Sequence, residues 1–298
     1  MLGHLVDVET EDGIKLHGFL SGDNADSKWI WIIVHGVNGN FYGSTLLSEL
    51  GATVGRLGHA SLVVNTRGHD LATFGSADHP ARMGSMFETV SDGRIDLDAW
   101  VEFCKVAGYT HIGCIAHSLG AFKVSYALAA PTEPSDPLSP PPPHLRAFIA
   151  LSPPRLNTEL LLNDSAKREV FHQHLQEAKD WCDKGFPHHI MRVRFPLANW
   201  VSAETFLDKY ASGDKYDYFA YWAKITTPSF WVFGQQEVRR GSVNFKDMDL
   251  QLIAAFANAS TTGHSVAVIP DADHSYRGKR DLLAESILGW IGKQVGTP

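Results

Sequence analysis

The residues best suited to covalent chemistry sit where apolar runs end. Ser118 lies in His111–Ala121, HIGCIAHSLGA, where the apolar run Ile112–Ala116 meets His117-Ser118-Leu119-Gly120 and a helix-like segment follows. A short apolar run that stops abruptly at small and polar residues reads as a buried strand. Ala116 and Gly120 flank Ser118 two positions away on either side. A serine on a sharp strand-to-helix turn, a nucleophile elbow, is crowded by backbone and requires small neighbours there. The pattern is A-x-S-x-G, with alanine, the next-smallest side chain, in first place. The following helix points its first N–H groups at the site, which favours developing negative charge. Two further apolar runs end in groups such a serine needs: an acid follows Ser229–Gly234, and His274 follows His264–Ile269. A neutral hydroxyl is a poor nucleophile without a base within hydrogen-bond reach, and the base needs an acceptor that sets its tautomer.

The elements that must position these groups can be read in order. Leu5–Thr10 and Ile14–Leu20 alternate around Glu11-Asp12-Gly13, the pattern of a hairpin. WIWIIV at Trp29–Val34 is continuously apolar, hence a buried central strand, and it ends in His35-Gly36-Val37-Asn38-Gly39-Asn40. Helical patterns cover Gly43–Leu57, Asp92–Val106 and Leu119–Ala130, with a strand at Ala60–Val64 and a polar loop at Leu71–Met86. The proline-rich Pro131–His144 reads as an exposed, semi-rigid connection before the strand Leu145–Leu151. Leu156–Ala223 has few strand-like runs; it carries helical stretches at Asn163–Trp181 and Ser202–Tyr210 and many aromatics. Strand Ser229–Gly234, helix Lys246–Ala259, strand His264–Ile269 and helix Arg280–Val295 close the chain. Strands alternating with helices at both ends predict an α/β protein with a mostly parallel sheet, interrupted by a mostly helical block. In such sheets functional groups gather beyond the carboxyl ends of the strands.

Composition narrows the function. The chain has 298 residues, 44% hydrophobic and 20% charged, with net charge -7. That is ordinary for a globular protein and lacks the basic stripe of a nucleic-acid binder. Three widely spaced cysteines, Cys104, Cys114 and Cys182, argue against a disulfide framework or a zinc site. No N-terminal apolar leader and no run of about 18 apolar residues is present, so a cytoplasmic protein without a membrane span is expected.

The joint order of these pieces resembles the α/β-hydrolase fold superfamily, of the serine esterase and lipase kind. The matching stretches are HGVNGN at His35–Asn40, NTRGHD at Asn65–Asp70, AHSLGA at Ala116–Ala121, FGQQE at Phe233–Glu237 and DADHS at Asp271–Ser275. The chain order Ser…acid…His is that of this fold. The resemblance implies an eight-stranded, mostly parallel sheet flanked by helices. It implies a core domain of residues 1–155 and 224–298 and an inserted helical cap of residues 156–223.

By this resemblance Ser118 falls on the nucleophile, His274 on the general base and the amides of Val37 and Leu119 on the oxyanion hole. The family often places aspartate in a G-x-x-D turn after its seventh strand; here Gly234-Gln235-Gln236-Glu237 puts Glu237 there. Asp247, Asp249, Glu159 and Asp164 remain the alternatives, while Asp271 and Asp273 are expected to shape the turn before His274. His117 and His35 read as packing or hydrogen-bonding residues, Arg67 as a structural ion pair, Asn38 and Asn40 as turn formers ahead of substrate contacts, and His188-His189 as surface. Lys167, Arg168, Arg192 and Arg194 read as a solvated face, the alternative being attraction of an acidic substrate. The expected activity is hydrolysis of a carboxylic ester through an acyl-enzyme, without cofactor or metal. An amidase, peptidase or C–C bond hydrolase on the same fold, or a non-catalytic binding protein, is the rival reading. The expected partner is a small-molecule ester or related acyl compound, with no nucleic acid and a homodimer left open.

Overall fold

The computed structural model describes residues 2–22, 27–75, 80–129, 144–259 and 263–295. The proline-rich connection, except His144, lies outside the described residues. In chain order the first half comprises β1 (Gly3–Glu9), β2 (Lys15–Ser21), β3 (Trp29–Val34), α1 (Thr45–Gly55), β4 (Ala60–Val64), β5 (Thr73–Phe74), β6 (Arg82–Met83), α2 (Val90–Val106), β7 (His111–His117) and α3 (Leu119–Leu128). The second half comprises β8 (Ala147–Leu151), α4 (Thr158–Leu162), α5 (Arg168–Asp183), β9 (Ile190–Val193), β10 (Asn199–Ser202), α6 (Ala203–Tyr210), β11 (Ser229–Gly234), α7 (Gln235–Arg240), α8 (Met248–Asn258), β12 (His264–Ile269) and α9 (Arg280–Val295).

Eight strands form one sheet in the order β1-β2-β4-β3-β7-β8-β11-β12. The β1–β2 and β2–β4 pairs are antiparallel. Every pairing from β4 to β12 is parallel, so the carboxyl ends of these six strands share one edge. Apolar layers cover both faces. Ile30, Ile32 and Cys114 pack with Trp100 of α2 and Phe122 of α3, whereas Trp31, Ile33 and Ile115 pack with Leu46 and Leu47 of α1 and Ile287 and Ile291 of α9. Burial on both sides explains why β3 is continuously apolar instead of alternating.

Helix starts follow local chemistry. Ser44 caps α1, accepting from Leu47 N–H at 3.3 Å, and Thr89 with Asp92 forms a capping box on α2. Arg67, at the end of β4, bridges the hairpin turn and α2: it donates to both Asp12 oxygens at 2.7 and 2.9 Å and to Asp96 at 2.8 Å.

Two stretches depart from the sequence-based expectation. The polar stretch 71–86 contains the two-residue pair β5–β6, and the block after Leu156 contains the antiparallel hairpin β9–β10. Strands of two to four residues are too short for periodicity to reveal. The aromatics of that block divide between two tasks. Phe171, Phe195, Phe206 and Tyr210 form a ring cluster of their own, while Tyr216 stacks on Phe122 of α3 at 5.1 Å.

Beyond β3, His35 is 1% exposed. Its Nδ1–H donates to Gly36 O at 2.7 Å and its Nε2 accepts from Thr66 N–H at 3.1 Å, so it braces the loop. Burial, helped by nearby Lys123, pushes this imidazole down to about 4. The unfolded chain takes up that proton near pH 6.5 and the native fold does not, so stability is complete above that pH and falls toward pH 4. The melting temperature should drop over this interval, by the equivalent of about 3 kcal/mol from this group. His35→Gln should flatten the drop; identical slopes in the two proteins would exclude His35 as its source.

Candidate active site

Ser118 sits between the last residue of β7 and the first of α3, with φ 56° and ψ −126°. This left-handed geometry is unfavourable for a side chain with a Cβ and persists only where the surroundings enforce it. The surroundings are tight. The Ser118 N–H donates to Leu151 O of β8 at 2.8 Å. A Cβ on Gly120 would lie 2.3 Å from His35 O, and one on Gly36 would lie 2.8 Å from Ser118 Cβ. Ala116, by contrast, is fully buried within β7, where its methyl group fits.

His274 reaches Ser118 from the turn after β12, and Nε2 lies 3.0 Å from Ser118 Oγ. Two contacts hold that turn. Asp273 accepts from the N–H groups of Ser275 and Arg277 at 3.0 and 2.9 Å, so its role is to shape the turn. His117 Nε2–H donates to His274 O at 2.8 Å. Burial, with His274 beside it, pushes the His117 imidazole down to about 3, which suits a neutral donor.

Glu237 lies in the first turn of α7, 6% exposed, with Oε2 2.8 Å from His274 Nδ1. Its other oxygen accepts from Ser152 Oγ at 2.5 Å and from Gly234 N–H at 3.0 Å. Tyr276 packs its hydroxyl 2.7 Å from Ser152 Oγ and donates to Val232 O at 2.9 Å. Gly234 permits the approach, because a Cβ there would lie 2.6 Å from the carbonyls of Ala272 and Asp273. Among the described residues Glu237 is the carboxylate that meets His274. Asp249 and Asp247 instead pair with Arg239, at 2.6 and 3.9 Å. Glu159 lies in α4, and Asp164, just after it, accepts from Ala166 N–H at 3.0 Å.

Val37 and Leu119 both border the same cavity as Ser118 and His274, a space of about 430 Å³. Among the described residues neither backbone N–H is engaged in a hydrogen bond. The block after β8 adds apolar lining from Leu156, Val193, Pro196, Leu197 and Val201. Asn38 ties its loop to the start of β10, and Asn40 acts between loops. Asn38, at φ 57°, donates to Asn199 at 3.2 Å, and Asn40 donates to Asp70 at 2.6 Å. His188 pairs with Glu204 at 2.6 Å and His189 stacks on Trp181 at 3.6 Å. Lys167, Arg168, Arg192 and Arg194 are exposed and border none of the cavity. The basic residue that does border it, Lys209, was not among the sequence candidates, nor were Ser152 and Tyr276. A lysine in an amphipathic helix and a serine after a strand carry no local mark of such positions.

No protein-family model and no curated protein sequence matches the chain. Solved structures do. The chain is similar to esterase PF2001 of Pyrococcus furiosus, at 17% identity over 98% of this chain and 91% of that one, with TM-score 0.63. It is similar to the alpha/beta hydrolase GrgF from Penicillium sp. sh18, at 15% identity over 99% of both chains, with TM-score 0.67. It is also similar to Est1E from Butyrivibrio proteoclasticus, whose structure holds ferulic acid, at 17% identity over 97% of this chain and 99% of that one, with TM-score 0.61. At such identities the likeness carries the fold. With its order of parallel strands and its flanking helices, the chain has the α/β-hydrolase fold.

Proposed function

We propose that this protein is a serine hydrolase that cleaves a carboxylic ester, with Ser118 as nucleophile, His274 as general base and Glu237 as the acid that orients it. The observation that carries this reading is the hydrogen-bonded line from Ser118 Oγ to His274 Nε2 at 3.0 Å and from His274 Nδ1 to Glu237 Oε2 at 2.8 Å. It opens on a cavity large enough for a small-molecule substrate. The name of a similar structure, the Pyrococcus furiosus esterase PF2001, agrees with it.

In this mechanism Ser118 Oγ attacks the ester carbonyl carbon while its proton passes to His274 Nε2. Glu237 accepts from Nδ1–H, which leaves Nε2 free to act as base and stabilises the imidazolium that forms. The carbonyl oxygen becomes an oxyanion that accepts from the Val37 and Leu119 amides. Preorganised donors of this kind each lower the barrier by about 3–4 kcal/mol. Protonated His274 gives its proton to the departing alkoxide, and the alcohol leaves. Water, deprotonated by His274, then attacks the acyl-enzyme; as the acyl–Oγ bond breaks, His274 returns the proton to Ser118 Oγ and the acid is released. No cofactor enters these steps. Residues 1–155 and 224–298 serve as the hydrolase core and residues 156–223 as a cap that walls the acyl site. A cytoplasmic location fits the three unpaired cysteines, of which Cys104 and Cys114 are buried.

Ser118→Ala should lower kcat on activated esters by about 10⁴-fold or more and abolish labelling by a fluorophosphonate; turnover surviving in the variant would remove Ser118 from the chemistry. Glu237→Gln keeps the shape but loses the charge that fixes the tautomer, so kcat should fall by about 10⁴-fold. A rate within tenfold of the original would assign the acid elsewhere. A panel of matched esters and amides separates the ester reading from an amidase.

A further inference from the structure

A buried cluster of unequal charge lies behind the cavity. Glu88, Lys123 and Lys209 are 2%, 4% and 4% exposed. Lys123, on the helix that follows Ser118, pairs with one Glu88 oxygen and donates to Thr66 Oγ1 at 3.1 Å. Lys209, on α6, donates to the other Glu88 oxygen at 3.1 Å and to Ser85 O at 3.3 Å. Two ammonium groups thus share one carboxylate. Two further acids whose charge reaches these lysines are bonded elsewhere, Asp208 to Lys215 and the Tyr216 hydroxyl and the buried Asp96 to Arg67. Burial acts to raise the Glu88 carboxyl, but the two lysines outweigh it and hold it down to about 2, so it remains ionised, and His35 beside the cluster stays neutral. Lys209 therefore shares its one bonded carboxylate with a second buried ammonium, a desolvated position that an anion placed against it would help to neutralise.

Lys209 also borders the cavity that contains Ser118. Among the described residues it is the lysine or arginine of that lining, and no aspartate or glutamate lines the cavity. An ammonium has three donors, and Glu88 and Ser85 account for two. We propose that the cavity recognises esters that carry a carboxylate away from the scissile bond, with Lys209 as the counter-ion that sets this specificity. The proposal rests on the reading of this cavity as the substrate site of a Ser118 hydrolase. A carboxylate on the acyl part or on the alcohol part would satisfy the same charge, since either can lie against Lys209.

The test has two arms. One compares p-nitrophenyl monoesters of dicarboxylic acids, from succinic to suberic, with the corresponding neutral methyl-capped diesters. The other compares acetate esters of hydroxy acids with the acetates of their methyl esters. In at least one arm the wild-type protein should favour the anionic member by about tenfold or more in kcat/KM. Lys209→Arg should retain that preference, and Lys209→Met and Lys209→Gln should lose it. Equal rates in both arms, or a preference that survives in both uncharged variants, would overturn the proposal. Calorimetric binding of monomethyl glutarate and of dimethyl glutarate to Ser118→Ala gives a readout without turnover. Tighter binding of the anion that disappears when Lys209→Met is added supports the charge site even if no ester is hydrolysed, in which case the hydrolase reading alone fails. Equal binding of the two compounds overturns the charge site.

Discussion

The close approach of backbone around Ser118 is the constraint on which the site depends. The serine is held at φ 56° because β7 must turn at once into α3 while the loop after β3 presses against both. Gly36 and Gly120 permit that contact, and the Ser118 N–H anchored on β8 leaves the residue no easier conformation. A strained backbone is retained when the packing around it is stronger than the strain. Here that packing is a parallel sheet covered by apolar layers on both faces.

From that point the other groups arrive by topology. Six parallel strands end on one edge, so residues far apart in the chain share a small volume there. His274 stands 156 residues after Ser118 and 37 residues after Glu237, yet both contacts are hydrogen bonds. Each is held twice over. Ser152 and the Gly234 amide fix Glu237, while His117 and Asp273 fix the turn that carries His274. Side chains restrained in this way keep Ser118, His274 and Glu237 in hydrogen-bond register.

The block after β8 is tied to this centre by charge as well as by apolar contact. Glu88 joins α6 of that block to α3 through Lys209 and Lys123. Ion pairs so well buried contribute little net stability but are costly to break. The arrangement therefore fixes where the block sits over Ser118 and leaves positive charge beside the cavity. The acidic character of the whole chain conceals this, because net charge averages over a surface that the cavity does not share.

Much of the fold could be read from residue patterns alone. The β3 run, the A-x-S-x-G turn and the glycine before Glu237 each record a local demand: burial on two faces, a crowded turn, a close approach. Such demands act over a few residues and therefore leave marks in the sequence. The hairpin β9–β10 and the pair β5–β6 were not legible, because two to four residues hold too little periodicity. The choice of Glu237 over Asp247 and Asp249 was open in the sequence, since all three follow the same strand within 15 residues. The tertiary structure separated them, turning one carboxylate toward His274 and the other two toward Arg239. It likewise decided that Lys209, and not the four basic residues singled out in the sequence, borders the cavity. The sequence by itself determined the strand order of chemistry-bearing residues and the need for small neighbours at Ser118. Only the folded chain decided which charges are buried together, because desolvation and pairing depend on distances in space that no local spacing encodes.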